Sequence, residues 1–301
     1  MKSKNLLWLY IGIVYVVSYL WQLAIYFTGG VDSVLFPFVM WFPGVIAIVF
    51  RWITKEGFRN VGWGFRKWWY ILPAILLPAT ITLTCILLLS ILDWGTWSDK
   101  FFIFQNGVVY IPKIPMILGN HTQSIAFFAL NFGLSLGFQS LIGSLFTLGE
   151  EFGWQGYLLQ KLMRKYGLNR GLIVLGVVWG YWHLPIVLMG FSFPNHPVLG
   201  ALILMPLSTI FIGIFQVWLY LRSKSIWMPM FAHAAANLTA PILVSGMVMN
   251  QDELTRQLMW IVVWGFLSMI CLISLNRKKP TLWQEDVGSG LAKPEATGIG
   301  K

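Results

Sequence analysis

Long apolar stretches, separated by short polar and often basic segments, dominate the chain. Because about 20 apolar residues are enough for a helix to span a bilayer, eight of these stretches predict transmembrane helices. They cover residues 6–27, 33–53, 69–92, 125–148 (continuing to 162), 172–189, 198–221, 226–248 and 259–275. The pattern therefore predicts an all-α, polytopic membrane protein with about eight transmembrane helices.

The composition excludes a soluble globular domain. Of the 301 residues, 57% are hydrophobic and only 11% are charged, whereas soluble domains carry about 25% charged residues. The net charge of +10 does not indicate nucleic-acid binding, because the basic residues lie between apolar runs and are not grouped on one face. Cys85 and Cys271 both fall inside apolar runs, so we expect free, buried thiols.

The basic residues predict the orientation of the chain. In an eight-helix topology, Lys100, Lys113 and Arg256 fall on one side of the membrane, and the other 18 of the 21 Lys and Arg residues fall on the opposite side. The positive-inside rule then places both termini in the cytoplasm. A six-helix topology would need two re-entrant segments and would break this asymmetry.

The same pattern predicts the domain organisation. We expect a single transmembrane domain over residues 1–276, with a core at about 125–244 that carries the polar groups described next. A polar cytoplasmic tail, 277–301, is expected to be disordered. Residues 93–124 form the one long extracytoplasmic loop of this topology.

A few polar side chains lie inside the apolar runs. Glu150 and Glu151 interrupt one run, His183 another, and His233 and Asn237 a third. A charge at mid-bilayer costs about 2.5–3.5 kcal/mol on insertion scales, so such groups usually have a function. At 1.5 Å per residue, Glu150, His183 and Asn237 lie about 16–18 Å from the basic edge of their helices, and His233 about 10 Å. Their similar depth predicts one site shared by three helices.

Small residues and a proline predict local features of these helices. Gly176 and Gly180 form a small-xxx-small face that allows close packing of another helix. Pro185 removes a backbone donor and should disturb the turn that carries His183. Residues 133–137 fit GxSxG, but a nucleophile elbow needs a strand–turn–helix, so we interpret these glycines as a second packing face.

Three segments resemble the motifs of a known family. They are EEFGWQGYL at 150–158, WGYWHLP at 179–185 and HAAAN at 233–237. They are similar to the EExxxR, FxxxH and HxxxN motifs of the CPBP family (CAAX-protease and bacteriocin-processing, or Abi, intramembrane proteases), which includes type II CAAX prenyl endopeptidases. Two positions differ from the family pattern, because Gln155 stands in place of the arginine and Trp179 in place of the phenylalanine.

The resemblance implies an eight-helix endopeptidase whose site opens toward the cytoplasm and the bilayer. Glu150 and His183 would activate the attacking water, and His233 and Asn237 would bind the oxyanion. Glu151 would orient these groups. The implied substrate is a membrane-associated protein or peptide, and the implied location is a cell membrane, which we expect to be the bacterial plasma membrane. The lipid bilayer is the other expected partner.

Two versions of the water activation remain open from the sequence. In the first, Glu150 and His183 act without a metal. In the second, Glu150, His183 and His233 bind zinc as a His₂Glu set that leaves one position for water. The apolar runs contain no suitable set of Ser or Cys nucleophiles, so attack by water is the simplest route in both versions.

Two other classes of function remain as alternatives. A non-catalytic membrane partner, such as an immunity protein or a sensor scaffold of the same family, is favoured by Gln155, which supplies no charge to the carboxylates. A proton- or cation-coupled transporter is favoured by the intramembrane Glu pair. The transporter is disfavoured because the chain has no paired repeat halves with matching broken helices.

Overall fold

The computed structural model describes residues 3–112, 114–119 and 121–277, and each of the eight predicted runs contains a helix. The described α-helices are α1 (Ser3–Phe27), α2 (Phe42–Ile53), α3 (Ile71–Ile91), α4 (Ile125–Gly153), α5 (Gln160–Tyr166), α6 (Leu168–Trp182), α7 (Leu184–Leu188), α8 (Pro197–Leu199), α9 (Met205–Ser223), α10 (Trp227–Gly246) and α11 (Glu253–Arg277). The predicted polar tail lies outside the described residues from position 278 onward.

Within the described residues, six helical segments are long and apolar enough to cross a membrane. They are Leu6–Phe27, Phe36–Ile53, Trp68–Ile91, Ile125–Tyr166, Pro197–Ser223 and Glu253–Arg277. The other two predicted spans are α6, which has only 15 residues, and α10, which contains His233 and Asn237. The all-α, multi-pass membrane fold is therefore confirmed. The number of eight spans stays a prediction, because the helices that carry the histidines are the short or polar ones.

The longest helical segment among the described residues carries the two adjacent carboxylates. It continues from α4 through a π-helical turn, Trp154–Leu159, into α5, and spans 42 residues from Ile125 to Tyr166. The π turn starts three residues after Glu151. Such wide turns often mark functional sites, because they redirect the side chains around them.

Two glycines bring another part of the backbone against this helix. A Cβ atom on Gly149 would lie 2.5 Å from the carbonyl oxygen of Met40, and a Cβ on Gly153 would lie 2.5 Å from Cβ of Pro43. Both positions therefore require glycine. The close approach places the start of α2 directly beside Glu150.

The predicted packing face on α6 is confirmed. A Cβ on Gly176 would lie 2.6 Å from Cγ1 of Ile210, and a Cβ on Gly180 would lie 2.7 Å from Oγ1 of Thr209. The Thr209 hydroxyl also donates a 2.8 Å hydrogen bond to the Gly176 carbonyl. Small residues thus allow α6 and α9 to pack backbone to backbone.

The second predicted packing face, at residues 133–137, is wrong. A Cβ atom at either glycine of this segment would have no described atom within 4 Å. The physical reason is that this part of α4 faces outward, as the half-exposed side chains of Leu134 and Phe138 show.

The loops of the molecule gather at two ends. At one end, Lys165 Nζ lies 4.9 Å from the ring centre of Trp8, and the Asn276 amide donates to Asn169 Oδ1 at 3.1 Å. Residues near both ends of the described chain therefore contact the region where α5 ends and α6 begins. Their location in the cytoplasm stays a prediction from the charge asymmetry.

At the other end, polar contacts join the loop before α8 to the start of α11. His196 Nε2 lies 3.0 Å from Asp252 Oδ1, and the backbone N–H of Leu254 donates to the same oxygen at 2.7 Å. The Leu254 N–H, and then the His196 contact, lower the pKa of the Asp252 carboxyl below its ordinary value.

The predicted loop 93–124 contains short strands. They are β1 (Gly95–Trp97), β2 (Ile103–Gln105), β3 (Val108–Tyr110) and β4 (Gln123–Ser124), and β5 (Met247–Met249) follows α10. The first strand pairs antiparallel with the fifth, with Gly95 opposite Met249. The sheet β2-β3-β4 is also antiparallel. These strands have two or three residues, which is too short for an alternating pattern to predict.

The core lies around α10, which packs against α3, α4 and α9. Its small residues Ala232, Ala234, Ala235 and Ala236 are all buried. Their size lets neighbouring helices approach α10 closely. This arrangement surrounds His233 with other helices.

Candidate functional site

The chain breaks its helix at His183, as the sequence predicts. Pro185 has no N–H to bond the carbonyl of Tyr181, and the hydroxyl of Tyr19 on α1 donates to that carbonyl at 2.5 Å. Gln22, also on α1, donates to the carbonyl of the following residue at 3.0 Å. The first helix thus satisfies the backbone groups that the break leaves free, and His183 lies between α6 and α7.

The hydrogen bond of His183 fixes its tautomer. Its Nδ1 lies 3.0 Å from the carbonyl oxygen of Trp179. Because a carbonyl only accepts hydrogen bonds, Nδ1 must carry the proton, and Nε2 of the neutral ring is left with its lone pair. Nε2 makes no hydrogen bond to any residue that the structure describes. His183 therefore offers a base nitrogen to a ligand.

Two tryptophans hold the carboxylate of Glu150. Its Oε2 accepts hydrogen bonds from Trp179 Nε1 at 2.6 Å and from Trp154 Nε1 at 3.3 Å. The side chain is 2% exposed. Oε1 has no hydrogen bond within the described part of the chain, so one oxygen of this carboxylate is held and the other is free to accept.

The second carboxylate holds the second histidine. Glu151 Oε1 accepts a 2.8 Å hydrogen bond from His233 Nδ1, and both residues are buried. Glu151 Oε2 and the Oε1 of Gln155, one helical turn later, are buried without a hydrogen-bond partner among the described residues. The position of the family's arginine is thus occupied by an amide that does not contact the carboxylate through a hydrogen bond.

One tryptophan joins the groups that the sequence predicts to share a site. Besides its bonds to Glu150 and His183, the Trp179 ring lies edge-on to the His233 ring, with the ring centres 5.4 Å apart. The structure therefore brings the side chains of three helical segments together around Trp179.

Asn237 is the candidate residue that is not joined to the others. It lies on α10 one turn after His233, but its side chain is exposed and makes no hydrogen bond to a described residue. Its amide is therefore free to bind a ligand from outside the cluster.

The donor set does not fit a three-ligand metal site in this arrangement. In residues 3–112, 114–119 and 121–277, no three His, Cys, Asp or Glu side chains lie close enough together to hold a metal ion. We therefore derive no chemical step through zinc.

The sequence did not identify Trp154 and Trp179 as partners of Glu150. Trp154 lies four residues after Glu150, and i, i+4 spacing places both on one helix face. The sequence spacing could therefore have predicted this contact. Trp179 lies on another helix, and sequence spacing alone gives no signal for its bond to Glu150.

Comparison with known proteins finds similarity over the segment that carries these residues. Residues 132–239 match the model of the family "Type II CAAX prenyl endopeptidase Rce1-like". The chain is also 28% identical over 174 residues to CAAX prenyl protease 2 of Methanococcus maripaludis. The aligned segment covers 56% of this chain and 54% of that protein. The chain thus spans about half the length of this curated relative. The resemblance predicted from the three motifs is confirmed: the segment that carries them matches the Rce1-like family of type II CAAX prenyl endopeptidases.

Proposed function

We propose that the protein is an intramembrane endopeptidase that hydrolyses a peptide bond of a membrane-associated protein or peptide. The observation that carries this proposal is the cluster of Glu150, His183 and His233 around Trp179. Acids and imidazoles buried together inside a membrane protein are costly, and such groups usually have a function. The match of residues 132–239 to a family of endopeptidases gives independent support.

Glu150 and His183 are the proposed water-activating groups. Each offers one atom without a hydrogen bond to a described residue, namely Glu150 Oε1 and His183 Nε2. Both atoms accept protons, as the activation of a nucleophilic water requires. A positioned general base contributes about 10²–10⁴-fold to the rate.

His233 and Asn237 are the proposed oxyanion-binding groups. Glu151 holds Nδ1 of His233, so Nε2 is the ring atom left for the substrate. Nε2 donates a hydrogen bond when the ring is protonated. The exposed amide of Asn237 supplies a second donor.

The proposal also covers the class of substrate and the membrane in which the protein lies. The relative is named as a CAAX prenyl protease, so a lipid-modified C-terminal peptide is the substrate class to test first. We propose a bacterial plasma membrane as the location. Both termini are proposed to lie in the cytoplasm, because the loops on their side of the membrane carry most Lys and Arg residues.

The test uses the purified full chain in liposomes with a farnesylated CAAX peptide that carries a fluorophore and a quencher. We expect cleavage by the wild type and a loss of at least about 10²-fold in kcat/KM for Glu150→Gln and for His183→Ala. The matched controls are Glu253→Gln and His196→Ala, which change the same residue types at the opposite end of the molecule. We expect both controls to keep wild-type activity.

Equal activity of the wild type and both site variants would reject the catalytic assignment. A well-folded wild type that cleaves neither this peptide nor an unmodified membrane-anchored peptide would instead support the non-catalytic membrane partner. Activity before and after chelation distinguishes the two versions of water activation.

A further inference from the structure

We infer that Trp179 and Trp154 are positioning residues of the proposed endopeptidase, holding Glu150 by one oxygen so that the other is presented to the water. This inference rests on the proposed function. It is carried by the two indole N–H groups that donate to Glu150 Oε2, at 2.6 Å from Trp179 and at 3.3 Å from Trp154.

The chemistry of the indole makes this arrangement directional. An indole N–H donates and never accepts, so Oε2 of Glu150 must be the acceptor of both bonds. A carboxylate held by two donors at one oxygen cannot exchange the positions of its two oxygens without breaking both bonds. The free oxygen, Oε1, is then the atom that receives the proton of the water.

The two rings are themselves fixed by packing. Trp154 is 1% exposed and meets the ring of Trp182 edge-on, with the ring centres 5.9 Å apart. Trp179 is 4% exposed, and its ring makes a T-shaped contact with the ring of His233. Neither indole can move far without opening the core, so both donors are preorganised before the substrate arrives.

Trp179 has a second positioning contact. Its backbone carbonyl accepts the Nδ1–H of His183 at 3.0 Å, which fixes the ring so that Nε2 is the base nitrogen. One residue therefore sets the oxygen that Glu150 uses and the nitrogen that His183 uses. Replacing the side chain of Trp179 removes the first contact and leaves the second in place, because the second belongs to the backbone.

The test compares wild type with Trp179→Phe and Trp154→Phe in the liposome assay. Phenylalanine keeps an aromatic ring but has no N–H. We expect kcat to fall about 10- to 100-fold for Trp179→Phe, with KM changed less than twofold, because the lost bond is to a charged group that acts in the reaction. The longer bond of Trp154 predicts a smaller fall for Trp154→Phe.

Three controls separate positioning from packing. Trp264→Phe removes the same atoms from a buried tryptophan of α11 whose Nε1 has no partner among the described residues, and we expect wild-type kcat. Benzothienylalanine at position 179 keeps the ring shape with sulfur in place of N–H, and we expect the same fall in kcat as for Trp179→Phe. In a Glu150→Gln background, Trp179→Phe should lower the residual rate less than twofold, because its effect passes through Glu150.

The outcomes distinguish this inference from the proposed function. A wild type that cleaves, together with unchanged kcat for both Trp179→Phe and the benzothienylalanine protein, would overturn the positioning role and leave the endopeptidase proposal standing. A full effect of Trp179→Phe in the Glu150→Gln background would also overturn it, because packing alone would then explain the loss. A wild type that fails to cleave any tested peptide contradicts the proposed function, and the inference falls with it.

Discussion

Gly149, the residue directly before Glu150, provides a sharp test of how the site is built. Its missing side chain lets the backbone at residues 40–44 lie against α4. We expect Gly149→Ala to destabilise the protein and to lower its activity, because the added methyl group has no space and the displaced helix carries the carboxylate.

The size of this effect follows from the geometry. The new Cβ would lie 2.5 Å from the carbonyl oxygen of Met40 and closer still to Cα of Trp41. Both atoms belong to the backbone, so the strain cannot be relieved by a rotamer change. Overpacking of this kind costs about 1–3 kcal/mol, and we expect the free energy of unfolding to fall by at least that amount.

The same helix offers a control variant that we do not expect to lower the free energy of unfolding. A Cβ on Gly133 would have no described atom within 4 Å. Gly133→Ala should therefore be neutral or stabilise the helix by about 0.5–1 kcal/mol, since alanine restricts the unfolded chain more than glycine does. The two variants differ only in their position along α4.

The assay measures the apparent Tm of each purified variant in the same detergent, and then its kcat/KM in liposomes. We expect a lower Tm and a lower kcat/KM for Gly149→Ala, and neither change for Gly133→Ala. A Tm for Gly149→Ala equal to that of Gly133→Ala would refute the close approach of the 40–44 backbone and the site geometry that depends on it.

Three further predictions test single contacts. Glu151→Ala leaves the buried Nδ1–H of His233 without an acceptor and should cost about 1–3 kcal/mol of stability, while Glu151→Gln, which keeps an acceptor oxygen, should lose clearly less of the apparent Tm. Gln155→Met removes a buried oxygen without a partner and should leave the Tm equal or higher; a fall of several degrees would contradict the absence of a bond. The lowered pKa of Asp252 stabilises the fold above about pH 4, and this contribution is lost as pH falls through that lowered pKa. We therefore expect the Tm of Asp252→Asn and of His196→Ala to decrease less between pH 5 and 3 than the Tm of the wild type. A thermal scan at each pH measures this difference.

The sequence predicted the features that depend on hydrophobic length and on residue chemistry. The apolar runs, the close packing at Gly176 and Gly180 and the break near Pro185 all follow from such local rules and are found in the structure. The grouping of Glu150 and His183 followed from their equal depth, which is a property of each helix by itself.

The features that the sequence missed depend on contacts between segments. The pairing of β1 with β5 joins strands of three residues that are far apart in the chain, and nothing in a run so short specifies its partner. The glycines at 133–137 have the spacing of a packing face but lie where the helix faces outward, and spacing does not reveal which side of a helix meets a neighbour. Sequence spacing thus shows which residues share one side of a helix, but it does not show which segment, if any, packs against that side.

The two positions that differ from the family motifs, Gln155 and Trp179, both concern the hydrogen bonding of one pair of carboxylates. Gln155 replaces a cationic donor at a position where the structure has an unbonded amide oxygen, whereas Trp179 replaces a phenylalanine with a residue whose N–H bonds Glu150 at 2.6 Å. One change removes a charged donor and the other adds a neutral one. Positions 155 and 179 lie on different helices, so the sequence alone presents two unrelated losses of pattern. The fold makes them parts of one arrangement, in which His233 and the indole donors are the hydrogen-bonding partners of the carboxylate pair within the described residues. A missing arginine is therefore compatible with an intact acid group, because the donors come from neighbouring side chains.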